Sequence, residues 1–487
     1  MRKALQRFEF DSTWISRDGG LGPQAAGVAE AGSALQNGKP VFTIEQVIHQ
    51  LTRSGTAWNG VGSNPVPNAG LGTVTYAFFD VSAQVYSSER NQFEPMSAAQ
   101  RDAVRTAFAI WGELINVHFV EGTVATADIN LGNLNTSETY FSAYANYPER
   151  SLEGGDIWVN AHASSSQDVG LGAAGFRTLL HEIGHALGLS HPGEYNAAPG
   201  VEITYANDAE YYQDSYQYTI MSYFASSSTG AVRTGFAATP MAHDIAAIQS
   251  IYGANMATRT GDTTYGFNSN AGRPAFDFTQ NTNPVIAIWD AGGVDTLDFS
   301  GWSSNSRIDL APGASSDGGG QTFNVQIAFG ATIENAIGGA GNDSLTGNDA
   351  GNLLRGGGGN DTLLGGKGND WIEGGAGGDV FVFGGPGDSM DYTWRSDGKK
   401  LSPDILTDFV SGTDRIDLSA IDAIAGTEAN DAFTWIGAGA FTGVAGQLRA
   451  EVLGNQVHIL GDMNGDGRAD LHIIASGTQI LVSDFVF

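Results

Sequence analysis

Three of the chain's nine histidines fall within eleven residues, in the stretch HEIGHALGLSH from His181 to His191. Residues four apart lie on one face of a helix, so His181 and His185 can direct their ring nitrogens at a common point. Gly188 can adopt a positive φ that turns the chain back and brings His191 to the same point. Three neutral imidazoles suit Zn²⁺ in a catalytic site because the fourth coordination position stays open for water. The spacing therefore predicts a catalytic zinc site.

Glu182, next to the first histidine, is the group that such a site needs for peptide hydrolysis. Zinc lowers the pKa of its water, Glu182 takes the proton as general base, and the hydroxide attacks a metal-polarised peptide carbonyl. The same glutamate then delivers the proton to the leaving amine. Ordinary core or surface histidines would have this spacing only by accident, and a structural zinc site usually has four protein ligands. We therefore predict an endopeptidase whose substrates are proteins and peptides.

Helices and short strands are expected to position these residues. A capping box at Ser97 and Gln100, followed by apolar residues at helical spacing, predicts a long amphipathic helix. A second predicted helix, 175–187, carries the first two histidines and stops at Gly188. A third, 241–253, ends at a glycine. Short β-rich runs complete a mixed α/β domain at residues 73–79, 127–133 and 156–160.

After residue 255 the helical patterns disappear and a repeat begins. Residues 338–382 consist of five consecutive nine-residue units: GGAGNDSLT, GNDAGNLLR, GGGGNDTLL, GGKGNDWIE and GGAGGDVFV. The pattern GGxGxDxUx, with U apolar, is typical of Ca²⁺-binding β-helix repeats. A disordered Gly/Asp-rich linker would not keep this register. We therefore expect Ca²⁺ binding to be coupled to folding.

Each repeat unit contributes predicted calcium ligands from its glycines and its acidic position. Asn352 replaces the aspartate of the second unit, so we expect a weaker site there. The predicted calcium-binding positions of the repeats are Gly339, Gly341, Asp343, Asn352, Gly357, Gly359, Asp361, Gly366, Gly368, Asp370, Gly375, Gly377 and Asp379.

The motifs together resemble one known family. HEIGHALGLSH matches the HExxHxxGxxH signature of metzincin metalloproteases, and TIMSYF (219–224) lies where their Met-turn should be. The continuation HPGEYNA resembles the serralysins in particular, and the likeness covers nearly the whole chain from about residue 37. The resemblance implies an α+β metzincin zinc-protease domain followed by an all-β parallel β-roll (RTX) domain. It also implies that Met221 underlies the zinc site and that Tyr223 binds the resting metal or stabilises the oxyanion.

The same resemblance implies further calcium sites and a division of the chain. One additional Ca²⁺ site would join Arg259, Gly261, Thr263, Asp290, Gly292, Gly293 and Asp295, and another would use Thr332 and Glu334. We expect a leader or pro-segment at 1–40, a metzincin catalytic domain at 41–255, and a calcium-binding β-roll with a C-terminal secretion domain at 256–487.

Secretion is expected without a conventional signal peptide. The N-terminus has no apolar core before a cleavage site, whereas the final DFVF resembles the ending that serralysins present to an ABC-type (type I) secretion apparatus. A Ca²⁺-dependent domain would stay unfolded in the low-calcium cytosol and fold outside the cell. We therefore expect an extracellular zymogen-derived enzyme, and the resemblance adds a monomeric state and a proteinaceous inhibitor.

Composition excludes several other functions. The chain has 23 Lys plus Arg against 53 Asp plus Glu and a formal charge of -30, which argues against nucleic acid as a partner. The sequence has no run of 18 apolar residues, so it does not predict a membrane span. The absence of cysteine excludes disulfides and thiolate metal sites. Two alternatives stay open: a calcium-dependent surface or adhesion module with a vestigial zincin domain, and a zinc-stabilised structural protein in which Tyr223 is a permanent ligand.

Overall fold

The structure is a computed structural model that describes residues 34–59, 72–149, 151–385, 387–390, 402–424, 426 and 430–487. Helices and a mixed sheet form the first part of the chain, and nearly all of the regular elements of the second are short strands. The predicted fold class, an α+β domain followed by a parallel β-roll, is thereby confirmed. In the described ranges no helix is long and apolar enough to cross a membrane.

The helices of the described first part follow the sequence patterns closely. They are α1 (Ile44–Leu51), α2 (Ala98–Leu114), α3 (Ala174–Ala186), α4 (Tyr205–Asp208) and α5 (Ala242–Tyr252). At the start of α2 the Ser97 hydroxyl accepts from the Gln100 amide, and the Gln100 side chain accepts from the Ser97 amide, so the predicted capping box forms. Helix α3 ends one residue before the predicted position, and Gly188 beyond it has a φ of 106°.

A six-stranded sheet, with five strands in one continuous order, lies beside the helices. The strands of this part are β1 (Leu35–Gln36), β2 (Lys39–Pro40), β3 (Thr73–Phe78), β4 (Phe93–Glu94), β5 (His118–Glu121), β6 (Ile129–Leu134), β7 (Ala143–Ala145) and β8 (Ile157–Asn160). The sheet order is β5-β3-β6-β8-β7, with only β7 antiparallel within it, and β4 pairs separately with β6. Helix α3 contacts β7 and β8 on one side and α2 on the other, so the helix with the first two histidines is held within the core.

The hairpin of β1 and β2 packs against the same domain. The Tyr212 amide donates to the Pro40 carbonyl at 2.8 Å, and Lys39 Nζ donates to the carbonyl of Ala209 at 2.5 Å. These bonds tie the hairpin to the segment that leads into the Met-turn. The division drawn at residue 40 stays a prediction, and residues 1–33 of the predicted leader lie outside the described residues.

The second part of the chain is built from short strands. They are β9 (Thr264–Gly266), β10 (Ile286–Ile288), β11 (Thr296–Asp298), β12 (Arg307–Asp309), β13 (Ser315–Ser316), β14 (Val325–Ile327), β15 (Asn335–Ile337), β16 (Ser344–Thr346), β17 (Leu353–Gly358), β18 (Thr362–Leu364), β19 (Trp371–Ala376), β20 (Val380–Val382), β21 (Asp404–Leu406), β22 (Arg415–Asp417), β23 (Thr434–Trp435), β24 (Gln447–Leu453), β25 (Gln456–Asp462), β26 (Leu471–Ser476) and β27 (Phe485–Val486).

Two parallel sheets form the roll. One has the order β12-β16-β18-β20-β22-β27, and the other runs β9-β11-β15-β17-β19-β21 before the C-terminal strands β26-β25-β24-β23 extend it. Strands β10, β14 and β13 form a small third sheet. Leu345 pairs with Leu363, and Leu363 with Phe381, so each turn of the roll takes two nine-residue units. These side chains are at most 1 % exposed because the apolar position of every unit points inward.

We predict that Leu363→Ala lowers the free energy of unfolding of the calcium-loaded roll by about 2–5 kcal/mol, because it opens a cavity in a fully buried layer. Denaturation in guanidinium chloride at saturating Ca²⁺ measures this loss. Thr362→Ala, one residue away on the exposed face, is the matched control and should change the value by less than about 0.5 kcal/mol. Equal effects of the two substitutions would contradict the inward orientation of Leu363.

Candidate metal centre and catalytic site

The three histidines of the motif converge at one point. His185 Nε2 lies 2.9 Å from His191 Nε2, which lies 3.3 Å from His181 Nε2. Among the described residues, this is the group of three or more possible ligands that could hold a metal ion. An all-imidazole set of three fits a borderline cation such as Zn²⁺ and leaves room for a non-protein ligand.

Main-chain carbonyls fix the orientation of all three rings. The Nδ1–H groups of His181, His185 and His191 donate at 2.7, 2.7 and 2.8 Å. The accepting carbonyls belong to Ile220, Leu189 and Tyr195 respectively. Because Nδ1 carries the proton, the Nε2 lone pairs face the centre of the cluster. Burial keeps the rings neutral: it lowers the pKa of His185 to about 4 and lowers the pKa values of His181 and His191 well below the usual value.

Glu182 lies on α3 beside the first histidine and is 4 % exposed. Within the part of the chain that the structure describes, its Oε2 has no hydrogen-bond partner. Burial raises the pKa of its carboxyl group to about 8. A buried carboxylate without a partner at the edge of a histidine cluster is the arrangement expected of a group that exchanges protons there.

The predicted Met-turn lies below the histidines. Met221 is fully buried, and a Cβ atom added to Gly184 would stand only 2.8 Å from its sulfur, so the turn packs directly against α3. Two residues on, the Tyr223 ring lies 4.5 Å from the ring of His191 and 6.1 Å from that of His181, measured between centroids. Burial raises the pKa of the Tyr223 hydroxyl above its usual value, so the hydroxyl stays protonated.

Two buried aspartates that sequence reasoning missed hold this arrangement. Asp244 on α5 accepts the Ile220 and Met241 amides, each at 2.8 Å, and the Thr219 hydroxyl at 2.5 Å. Its position in the first turn of a predicted helix was a signal for capping, but nothing in the sequence connected it to the Met-turn.

Asp214 is the second of these aspartates and is fully buried. Its Oδ1 accepts the hydroxyls of Tyr195 at 2.8 Å and Ser222 at 2.7 Å. Tyr195 supplies the carbonyl that orients His191, so one carboxylate supports both the third histidine and the Met-turn. No sequence pattern marked this residue.

The chain after the helix is held from the N-terminal side. Arg53 Nη1 donates to the carbonyl of His191 at 2.6 Å, and its Nη2 donates to that of Gly193 at 2.5 Å. A Cβ atom at Gly188 would overlap the Thr56 carbonyl, so this turn needs glycine for space as well as for its φ. A cleft of about 380 Å³ opens beside His191 between these segments.

The acidic positions of the repeats stack into two ladders. In one, the Asp343 amide donates to Asp361 Oδ1 at 2.8 Å and the Asp361 amide to Asp379 Oδ1 at 2.9 Å. In the other, the Asn352 amide donates to Asp370 Oδ1 at 2.8 Å. The predicted repeat glycines lie in the turns or at the strand ends beside these ladders. The structure therefore brings the predicted repeat positions together.

Two aspartates beyond the repeats extend the ladders and were also missed. The Asp379 amide donates to Asp414 Oδ1 at 3.0 Å, and the Asp370 amide to Asp404 Oδ1 at 2.9 Å. In the described ranges, Oδ2 of Asp361 and of Asp404 is buried without a hydrogen-bond partner. Burying unpartnered carboxylate oxygens is costly, so the donor set fits a hard cation such as Ca²⁺.

The other predicted calcium residues meet at Asp295. Its Oδ1 accepts the Thr263 amide at 2.7 Å, and its own amide donates to Glu334 Oε2 at 2.8 Å, so the two predicted sites adjoin. Nearby, the Gly292 amide donates to Asp290 Oδ1 at 2.8 Å. Further members of these two predicted sites are Gly261, Gly293 and Thr332. The carbonyl of Gly261 accepts the Thr263 hydroxyl, and Thr332 precedes Glu334 in the same loop.

The side chain of Arg259 makes other contacts and does not act as a cation ligand. Its Nη1 forms an ion pair of 2.7 Å with Glu113, and its Nε donates to the Tyr265 hydroxyl at 2.9 Å. A guanidinium group has no lone pair to offer a metal ion. Arg259 could therefore serve the predicted site only through its main-chain carbonyl.

We predict that Asp244→Asn lowers the affinity for zinc about 10- to 100-fold, because an amide cannot accept all three bonds that hold the Ile220 segment of the Met-turn against α5. Competition with a chromophoric chelator measures the change. Asp208→Asn changes a carboxylate whose one bond among the described residues is from the Thr204 amide, and it should leave zinc affinity unaltered. Unchanged affinity in the Asp244 variant would show that the Met-turn does not need this support.

Comparisons with known proteins agree on one family. A family model described as Matrixin matches residues 81–214, and one described as Peptidase M10 serralysin C terminal matches residues 254–487. Metalloprotease AprA of Pseudomonas entomophila is 42% identical over 470 residues, covering 94% of this chain and 93% of that protein. Serralysin C of Dickeya chrysanthemi is 46% identical over 405 residues, or 81% of each protein. The chain belongs to the serralysin family and is a zinc metalloendopeptidase.

Proposed function

We propose that this chain is a secreted zinc endopeptidase in which Glu182 is the general base for the hydrolysis of protein substrates. The observation that carries the proposal is the convergence of three Nε2 atoms beside a buried glutamate without a hydrogen-bond partner among the described residues. The names of the relatives, which include metalloprotease and serralysin, support the same reaction class.

His181, His185 and His191 would hold the zinc ion through Nε2. When bound, zinc supplies a Lewis acid that acidifies a water molecule and polarises the scissile carbonyl. Glu182 accepts the proton of the attacking water and passes it to the leaving amine. Its burial suits the first of these steps, because a carboxylate whose pKa is raised to about 8 is a stronger base toward water than an ordinary glutamate. A cation at the histidine cluster favours the ionised form that must act first.

Tyr223 is the proposed second catalytic residue. Its hydroxyl stays protonated because burial raises the pKa, so it can donate a hydrogen bond to the oxyanion that forms at the carbonyl. When no substrate is bound, the same oxygen could be a further zinc ligand, as the family resemblance implies. Met221 supports both roles by fixing the turn against α3.

Calcium is proposed as the structural cation of the roll. The buried Oδ2 atoms of Asp361 and Asp404, which have no hydrogen-bond partner among the described residues, and the carbonyls of the glycine turns would supply the oxygen ligands that Ca²⁺ prefers. The cations would neutralise the repulsion within each ladder. At neutral and higher pH, roll folding would then require calcium.

Secretion as an unfolded chain is consistent with the position of the C-terminus. Phe485, in the last strand β27, is 6 % exposed and pairs within the roll, so an ABC-type exporter would reach this side chain before the roll folds. The monomeric state, the leader and the proteinaceous inhibitor stay predictions. The adhesion module with a vestigial zincin domain is not favoured, because Glu182 and the histidines are assembled around one centre.

We predict that Glu182→Gln lowers kcat/KM for casein about 10²- to 10⁴-fold, because the general base is lost. Zinc content should stay at one ion per chain, since Glu182 is not among the three candidate ligands. Glu202→Gln, at an exposed glutamate, controls for charge and should retain full activity. Retained hydrolysis by the Glu182 variant would assign the proton transfer to another group.

We predict that the stability of the roll depends on pH in opposite directions with and without calcium. Burial, assisted by the carboxylates of Asp343 and Asp379, raises the pKa of Asp361 to about 7 from 3.8. A raised pKa means that the folded state binds the proton more tightly, so calcium-free stability falls as pH rises between these two values. Calcium competes with that proton, so its stabilising effect should be larger at high pH.

Circular dichroism of the dialysed full chain at pH 5 and pH 8 measures this dependence. We expect more folded roll at pH 5 without calcium, and complete folding at pH 8 once calcium is added. Asp361→Asn, which copies the residue found at Asn352, should reduce the calcium-free difference between the two pH values. A difference of unchanged size in this variant would locate the proton elsewhere.

A further inference from the structure

A glutamine of the roll reaches into the catalytic domain. Gln326 lies on β14 and is 2 % exposed. Its Nε2 donates to the main-chain carbonyl of Gln217 at 2.8 Å, and its Oε1 accepts the main-chain amide of Ala242 at 3.1 Å. One side chain thus bonds to two separate segments of the other domain.

Both segments support the Met-turn. Gln217 lies four residues before Met221 on the chain that enters the turn, and Ala242 is the first residue of α5. Two residues later on α5, Asp244 accepts the Ile220 amide and so holds the turn from the other side. Gln326 therefore fixes the distance between the incoming chain and the helix whose carboxylate clamps the turn.

The bonding pattern requires an amide. Gln326 uses a donor toward one domain segment and an acceptor toward the other, and its Nε2 also donates to the Ser315 hydroxyl at 3.1 Å. A carboxylate would lack the donor, and an apolar side chain would leave the buried Ala242 amide without this acceptor. Packing alone would not select a side chain with both functions.

A second contact reinforces the same carbonyl. Arg233 Nη2 also donates to the Gln217 carbonyl, at 3.2 Å, and to the carbonyl of Phe323, which lies beside β14 in the roll. The carbonyl before the Met-turn is therefore held by a residue of each domain. The start of the turn is therefore attached to the roll as well as to the catalytic domain.

We propose that Gln326 is a positioning residue that fixes the Met-turn, and through it Tyr223, from the β-roll. The proposal rests on the catalytic role proposed above for Tyr223. It means that the correct position of the tyrosine depends on the folded roll and not on the catalytic domain alone.

The test compares Gln326→Met with Gln321→Met in the full chain at saturating calcium and zinc. Gln321 is the matched control: it is a 4 % exposed glutamine of the same part of the roll, and its Oε1 accepts the Thr234 amide of the catalytic domain at 2.8 Å, away from the Met-turn. Gln326→Glu, which keeps the acceptor for Ala242, is the conservative variant. The readouts are kcat, KM, zinc affinity and thermal midpoint.

We expect Gln326→Met to lower kcat about tenfold, with little change in KM, because the oxyanion donor is misplaced by a fraction of an ångström. Gln326→Glu should recover part of that loss, and Gln321→Met should match it in thermal midpoint but keep the wild-type kcat. In a Tyr223→Phe background, Gln326→Met should cause no further fall in kcat, since both act through the same hydroxyl.

Three results would overturn the proposal, and they separate its failure from that of the proposed function. If Tyr223→Phe lowers kcat but Gln326→Met behaves like the control, Gln326 supports only stability. If the two losses multiply in the double variant, Gln326 acts independently of Tyr223. If Tyr223→Phe itself leaves kcat unchanged, the role proposed for the tyrosine is wrong, and the inference falls with it.

Discussion

The active centre depends on three hydrogen bonds from imidazole Nδ1–H groups to main-chain carbonyls. These bonds select the tautomer and aim each Nε2 lone pair, so the cluster is oriented by backbone and not by other side chains. Each of the three residues that supply these carbonyls is held by a different contact or turn. Asp244 accepts the main-chain amide of Ile220, the turn at Gly188 places the carbonyl of Leu189, and Asp214 restrains Tyr195 through its hydroxyl. The site is only as rigid as these supports.

In the roll, main-chain hydrogen bonds orient carboxylates, as they orient imidazoles in the active centre. A main-chain amide from the preceding turn bonds Oδ1 of Asp361 and of Asp404, and among the described residues Oδ2 of each is buried without a hydrogen-bond partner. In both domains, therefore, one atom of a side chain is tied to the backbone and the other is left for a ligand. The difference in ligand chemistry, nitrogen against oxygen, matches a borderline cation in one domain and a hard cation in the other.

The sequence was sufficient for every feature that depends on short-range spacing. The helical offset of His181 and His185, the glycine turn, the capping box of α2 and the nine-residue repeat all depend on neighbours within one or two turns. Asp214 and Asp244 could not be recognised in this way. The bond from Asp244 to the Ile220 amide joins residues 24 apart, and Asp404 joins the ladder across an interval of 34 residues. Such partners follow from tertiary packing, which no local pattern encodes.

Because the chain has no cysteine, the support that the roll gives to the catalytic domain depends on non-covalent contacts. With no disulfide available, the two parts of the chain are joined by a shared hydrophobic core and by buried hydrogen bonds such as those of Gln326 and Arg233. A buried hydrogen bond contributes only about 1 kcal/mol net, but leaving one partner unsatisfied costs more than that. An unfolded roll would therefore remove acceptors and donors that the Met-turn needs, and would not simply leave an independent catalytic domain behind. If calcium drives roll folding, the same event that completes the roll would complete the support of the active centre.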